Sequence, residues 1–383
     1  MTGLLKDTLT ERATAVTEPP LDLDAIIGAG NTRIRRRRTL TITTVVAAGT
    51  LVLAGGVVTA KNLADPEPAP AGGVPSFKER RPTFATGGQI HFGADVIKVG
   101  PERISSFVQT DAGFVFSTSD GTVYFTAGRG NLKIGAGNKR QELTADDDGT
   151  VVGWVDASAP VRQFVLYDVA SGEELARTPT GNKAGQPPNP DREPRIIAID
   201  NNQAYLATLD GLHRWDIAKS TDTLLGPGLS PQTLVDVANG QLAYTVNDPH
   251  GGSITGIAVA PKLGSSHLIA GETDGNLSPD GKYFFSESGN ETYLFGTDSG
   301  GEIKLNSAGH DVMFLSTWLD NDRFTTVGMK SMDDEDKTPL DLMTCSVRTA
   351  TCTVAVPRFA PYPPSNDGIP IGWQAPTGQS FNQ

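Results

Sequence analysis

Several side-chain groupings in the 383-residue chain carry residue types that could do chemistry. Asp146-Asp147-Asp148-Gly149 offers oxygens of the kind calcium takes. That ion needs six or more of them, and consecutive residues entering a tight turn point in different directions. A solvated turn is the expectation there. Asp298-Ser299-Gly300-Gly301 echoes a serine-nucleophile turn, but Asp168-Val169-Ala170-Ser171-Gly172 occupies the same place in an earlier hairpin, so a repeated turn accounts for it. His91, His213, His250, His267 and His310 follow neither H-x-x-x-H nor H-E-x-x-H spacing, and no zinc site is expected. Asp333-Asp334-Glu335-Asp336 reads as a solvated acidic loop. Trp154, Trp215, Trp318 and Trp373 are too dispersed for a cofactor-stacking platform, and no phosphate-cradling glycine loop opens a helix. No catalytic residue, cofactor or metal is assigned, and the expectation is a protein that is not an enzyme. A cell-envelope hydrolase is kept as a distant third reading.

Cys345 and Cys352 flank Ser-Val-Arg-Thr-Ala-Thr and fall on the two arms of one hairpin. A bridge between them would close a small loop and contribute about 2.5 kcal/mol. Such a bond persists outside the reducing cytoplasm, and the spacing is not a zinc pattern.

The elements that must position these groups are unevenly charged. The net charge of −12 hides a basic tail at residues 1–38, with seven basic and five acidic groups. Residues 39–60 hold no charge at all, and the remaining 25 basic and 39 acidic groups lie beyond them. As a helix the uncharged span would be about 33 Å long, against about 30 Å for a bilayer core. Arg33, Arg35, Arg36, Arg37 and Arg38 precede it and only Lys61 follows closely. That asymmetry predicts a single-pass membrane protein with a cytoplasmic N-terminus and an extracytoplasmic C-terminal domain. A cleaved signal peptide is the competing reading, but the apolar segment exceeds the roughly 7–15 residues of a signal core. Residues 61–82 read as a Pro-rich linker, and residues 358–383 as an irregular Pro/Gly-rich tail.

Between residues 83 and 357 one phrase returns: a short apolar strand, a tight polar turn, then an alternating strand. Aligning the last turn residue gives Gly88, Gly113, Gly149, Asn202, Gly240, Gly281 and Asp322, at intervals of 25, 36, 53, 38, 41 and 41 residues. Gly, Asn and Asp tolerate the left-handed backbone of two-residue hairpin turns. A second hairpin follows in most units, so about four strands fall in about 40 residues, the size of a propeller blade. The chain therefore reads as an all-β protein, a β-propeller of seven blades or of six plus a closing hairpin, after one N-terminal transmembrane helix. The short first unit suggests a blade completed from the C-terminus. Residues 181–194 read as a polar insertion between blades.

The phrase Leu277-Ser278-Pro279-Asp280-Gly281-Lys282 resembles the repeats of TolB-like and WD40-like propellers, and Trp215-Asp216 looks like the dipeptide ending a WD strand. The layout of tail, anchor, linker and repeats is similar to actinobacterial membrane-anchored propeller proteins. That resemblance implies a fold and leaves function open. The first functional reading is a non-enzymatic binding or scaffold module taking a protein, peptide or glycan at its propeller. The alternative is an anti-sigma-like transmembrane regulator whose tail, with Leu4, Leu5, Leu9 and Val16 near one face, holds a cytoplasmic protein. The acidic balance argues against nucleic acid as a partner.

Overall fold

Two-residue turns set the architecture. Asn201-Asn202 and Asn239-Gly240 each place both residues at positive φ, the type I′ geometry that matches the twist of an antiparallel pair. The computed structural model describes residues 76–137, 142–158, 161–183, 194–208, 210–227, 233–247, 254–264, 268–270, 274–288, 291–331, 339–361 and 373–378. The basic tail with Arg33, Arg35, Arg36, Arg37 and Arg38, the span 39–60, Asp333–Asp336 and most of the insertion at 181–194 lie outside them. No helix among the described residues is long and apolar enough to cross a membrane.

The described strands form seven four-stranded antiparallel sheets. The first holds β1 (Thr83–Thr86), β2 (Gln89–Phe92) and β3 (Asp95–Lys98); the second β4 (Ile104–Thr110), β5 (Gly113–Thr118), β6 (Thr122–Thr126) and β7 (Asn131–Ala136). The third holds β8 (Thr144–Ala145), β9 (Val151–Asp156), β10 (Val161–Asp168) and β11 (Glu173–Lys183). The fourth holds β12 (Arg195–Asp200), β13 (Gln203–Ala207), β14 (Gly211–Asp216) and β15 (Thr221–Pro227). The fifth holds β16 (Leu234–Ala238), β17 (Gln241–Asn247), β18 (Ile254–Ala260) and β19 (Leu268–Ala270). The sixth holds β20 (Asp274–Leu277), β21 (Tyr283–Ser288), β22 (Glu291–Gly296) and β23 (Glu302–Ile303). The seventh holds β24 (Val312–Trp318), β25 (Arg323–Met329), β26 (Pro339–Ser346) and β27 (Thr351–Pro361). The chain is thus a seven-bladed β-propeller, and the six-blade alternative is set aside.

The core is divided among the seams between blades. Residues along a strand face opposite sides of its sheet, so neighbours in sequence enter different seams. Phe114 and Phe116 pack toward the first blade with Phe92 and Phe107, while Val115 between them packs toward the third with Trp154. Phe284 and Phe285 divide in the same way between the fifth and seventh blades. Burial on both faces explains why these strands carry apolar runs rather than strict alternation.

Three expectations change. The segment read as an irregular tail supplies β28 (Trp373–Gln374), which pairs with β1 as the innermost strand of the first blade. Trp373 is buried there in the seam with Phe84, Val312 and Met329. β27 likewise runs on to Pro361. Residues 76–82, read as the end of the linker, are packed: Phe77 is buried against Phe92 and Phe114. An aromatic followed by the first strand is a docking segment, and the charge-rich Lys78-Glu79-Arg80-Arg81 had masked it.

The remaining turn positions fall near their expected places. Asn202, Gly240 and Gly88 close two-residue turns, although Gly87 rather than Gly88 takes the positive φ. Gly113 opens β5 just after an Asp111-Ala112 turn, and Gly149, Gly281 and Asp322 sit in four- or five-residue connections. Cys345 and Cys352 are directly opposed in β26 and β27 and form a disulfide.

Candidate functional site: the mouth of the central channel

The innermost strands β4, β8, β12, β16, β20 and β24 surround a cavity of about 650 Å³. All of them run in one direction, so the turns that end them ring one mouth of the channel. The chain also enters β1 and leaves β28 at that mouth, which places residues 76–82 and 375–378 there. Register shifts interrupt β4, β12, β16 and β24 against their partners. Bulges of this kind re-aim side chains, and Ile197, Val235, Asp236, Ser316 and Thr317 line the cavity beside them.

Most aspartates at turns have structural work. Asp200 accepts hydrogen bonds from the backbone amides of Asn239 (3.0 Å) and Gly240 (2.9 Å), joining the fourth and fifth blades. Asp320 caps its own turn through the amides of Asp322 and Arg323, both at 2.8 Å. Burial pushes Asp320 up, but those bonds and the Arg323 guanidinium outweigh it, so the group sits below its ordinary value. Asp341 behaves alike inside the seventh blade. Its carboxylate accepts from the Arg358 amide at 2.7 Å and lies 3.0 Å from His310 Nε2, and these bonds overcome the cost of burial.

Three aspartates at the mouth behave in the opposite way. Asp147 lines the cavity, open to solvent yet enclosed by the ring. Burial, then the Asp236 charge, push it up to about 7, which the Arg80 charge only partly counters. Burial also raises Asp236 to about 6, although its carboxylate accepts from the amides of Leu277 (2.7 Å) and Val237 (2.8 Å). Asp146 is raised to about 6 by burial and by the charges of Asp200, Asp148 and Asp111. Like charges held together in a cleft mark a candidate site.

A cation stands against Asp147. Arg80 enters from the segment before β1, pairs with Asp111 at 3.6 Å and donates from Nη2 to the Asp147 carbonyl oxygen. Its Nη1 is buried without a hydrogen-bond partner among the described residues. Gln109 holds the segment down, donating from Nε2 to the carbonyl oxygens of Phe77 (2.9 Å) and Glu79 (3.4 Å). Gly378 stitches the other arm in place: its amide donates to the Phe107 carbonyl at 3.0 Å, and its carbonyl accepts from Leu143 N at 2.9 Å.

Of the sequence candidates, Asp146–Asp148 lie in the turn between β8 and β9, with Asp147 and Asp148 exposed and Asp147 lining the cavity, and no group of three ligand-type residues among the described ones could hold a metal ion. Asp298–Gly301 and Asp168–Gly172 do occupy equivalent outer turns of the sixth and third blades. Arg80 and Asp236 were not singled out. The lone acid in Leu234-Val235-Asp236-Val237-Ala238 was the available signal for Asp236.

No family model matches the sequence, and no curated protein matches it either. Among solved structures, the chain is similar to Hsv2 of Kluyveromyces lactis, at 14% identity over 64% of this chain and 75% of that one, with a TM-score of 0.39. TolB from Acinetobacter baumannii shows 12% identity over 66% and 63% of the two chains, with a TM-score of 0.36. The tricorn protease shows 12% identity over 71% of this chain and 34% of that one, with a TM-score of 0.42. These are likenesses of fold alone; the seven blades rest on the strand pairing itself.

Proposed function

We propose that the chain is a membrane-anchored extracytoplasmic binding module that takes a protein or peptide partner at its central channel. The observation that carries the reading is the channel itself. Charged, hydroxyl and aromatic groups from six blades, among them Gln109, Thr144, Asp147, Asp236 and Trp318, converge on one 650 Å³ cavity. Convergent polar groups in a largely preformed cavity are what a binding site requires. The uncharged span 39–60 with its arginine flank supports the anchor, and the Cys345–Cys352 bridge is in keeping with an oxidising compartment.

A photo-crosslinking residue at Gln109, in the full chain expressed in its membrane, tests the site. It should trap a discrete partner that the same probe at Leu132, on an outer strand, does not. Equal labelling from both positions, or none from Gln109, would remove the channel from the reading. Protease shaving of intact cells tests the topology: propeller fragments should be released while residues 1–38 stay protected.

A further inference from the structure

The turn between β16 and β17 carries Asn239-Gly240, the only Asn-Gly pair in the chain. Both residues are exposed, and a side chain at Gly240 would meet open space, so nothing crowds the peptide that joins them. Asparagine ahead of glycine is chemically labile, because the unhindered nitrogen that follows can reach the side-chain carboxamide. Here the turn is gripped from both sides. Asp200, at the end of β12 in the fourth blade, accepts from the Asn239 amide on Oδ1 at 3.0 Å and from the Gly240 amide on Oδ2 at 2.9 Å. Asn239 Nδ2 donates to the Asp280 carbonyl oxygen of the sixth blade at 3.1 Å. We propose that Asn239 is a latent deamidation site, kept intact while the fourth and sixth blades hold this turn and converted once that hold opens.

In the reaction the Gly240 nitrogen gives its proton to solvent and attacks Asn239 Cγ. The bond from Cγ to Nδ2 breaks, and the amide nitrogen leaves as ammonia. The five-membered imide so formed takes up one water and opens to aspartate or isoaspartate. Water is the sole co-reactant, and nothing is oxidised or reduced. The three hydrogen bonds oppose both motions of the attack. The proton to be lost lies on a carboxylate, and a negative charge beside an amide resists a second one. Turning Cγ toward the nitrogen gives up the bond to Asp280, in a turn whose φ values of 48° and 73° are fixed by the strands it joins. Asn201-Asn202 makes the equivalent turn of the fourth blade, but a side chain follows the first asparagine there, so the labile position is Asn239. Conversion is not silent. It replaces a donor to Asp280 with a carboxylate beside that of Asp200, and like charges this close repel. Isoaspartate also adds a methylene to the backbone of a two-residue turn. A seam that opens and reacts therefore cannot redock as before, and the product is a one-way record of the opening.

Peptide mass spectrometry on the full chain in detergent, incubated in mildly alkaline buffer, reads the mass gain at Asn239. A synthetic peptide of residues 237–242 sets the unprotected rate. Asn239 in the folded wild type should convert at least about tenfold more slowly than in the peptide, and D200A should recover about tenfold of that rate. D320A strips a comparable turn in the seventh blade and should leave Asn239 at the wild-type rate. Wild-type conversion at the rate of the peptide overturns the proposal. So does D200A converting no faster than wild type, or D320A accelerating Asn239 as much as D200A, which would make the protection global. Near-UV circular dichroism shows that each variant is folded. N239D, the direct product, should lower the denaturation midpoint more in the wild-type background than in D200A, where no carboxylate opposes it. Equal losses in the two backgrounds overturn the repulsion at the seam. No partner enters either measurement, so both stand apart from the crosslinking result at the channel.

Discussion

Aspartates at the blade turns and aspartates at the channel mouth have the same side chain and opposite fates. Asp320 and Asp341 accept two or more hydrogen bonds or ion pairs and lie below their ordinary values. Asp146, Asp147 and Asp236 lie above theirs, at about 6, 7 and 6. The turn set braces the fold: Asp320 ties its own turn, Asp341 in β26 ties the seventh blade within itself, and Asp200 ties the fourth blade to the fifth. The channel set is carried against a cost, which is the pattern of groups kept for use rather than for stability. What separates them is the charge beside the carboxylate: Asp320 and Asp341 have a guanidinium or an imidazole next to the amides they accept from, whereas Asp236 has its two amides and no cation among the described residues to offset burial.

The largest test of that contrast is Asp341→Ala. It strips the partner from buried His310 and from the Arg358 amide, and should cost about 3 kcal/mol, read as a lower denaturation midpoint. Asp200→Ala removes the two bonds that tie the fourth blade to the fifth and should cost about 1–2 kcal/mol. If it costs nothing, the turn set is not structural in the sense argued. The pH profile then separates the two sets. A carboxyl lowered in the folded state contributes stability above its unfolded value near 3.8, and that stability is lost as pH falls through the lowered value. A raised carboxyl contributes stability that is full below 3.8 and is lost as pH rises through about 6 to 7. The melting temperature should therefore peak near pH 4 and decline until about pH 7. The smallest effect belongs to Asp147→Asn. It should raise the melting temperature slightly at pH 8 and leave it unchanged at pH 4.5, the reverse in sign of every substitution in the turn set.

The blades were legible in the sequence because each is local. A turn of Asn, Gly or Asp between two apolar strands fixes its own hairpin, and the spacing of Asn202, Gly240, Gly281 and Asp322 fixes the repeat. The short first unit also showed that its blade is completed from the C-terminus, but not where, because two residues, Trp373 and Gln374, cannot show a period of two. The channel mouth was less legible still. Arg80, Asp147 and Asp236 are far apart in the chain and meet only when the ring closes, so nothing near any one of them announces the others. Arg80 was further disguised by a charged stretch that resembles a linker more than a packed segment.

Closure itself has a consequence in time. Thr86 pairs with Trp373, and Gly378 bonds to the walls of the second and third blades. The first blade is thus completed by a strand that follows all the other blades in the chain. Six blades can assemble from neighbours in sequence, but the seventh waits for a contact across most of the molecule, the class of contact that folds slowest. Until it forms, the edge of β1 and the apolar faces of the seventh blade stand open to other strands. The ring's vulnerable period is therefore its synthesis. Once shut, the packed segment at Phe77 and the bonds of Gly378 fasten both ends of the domain to its walls.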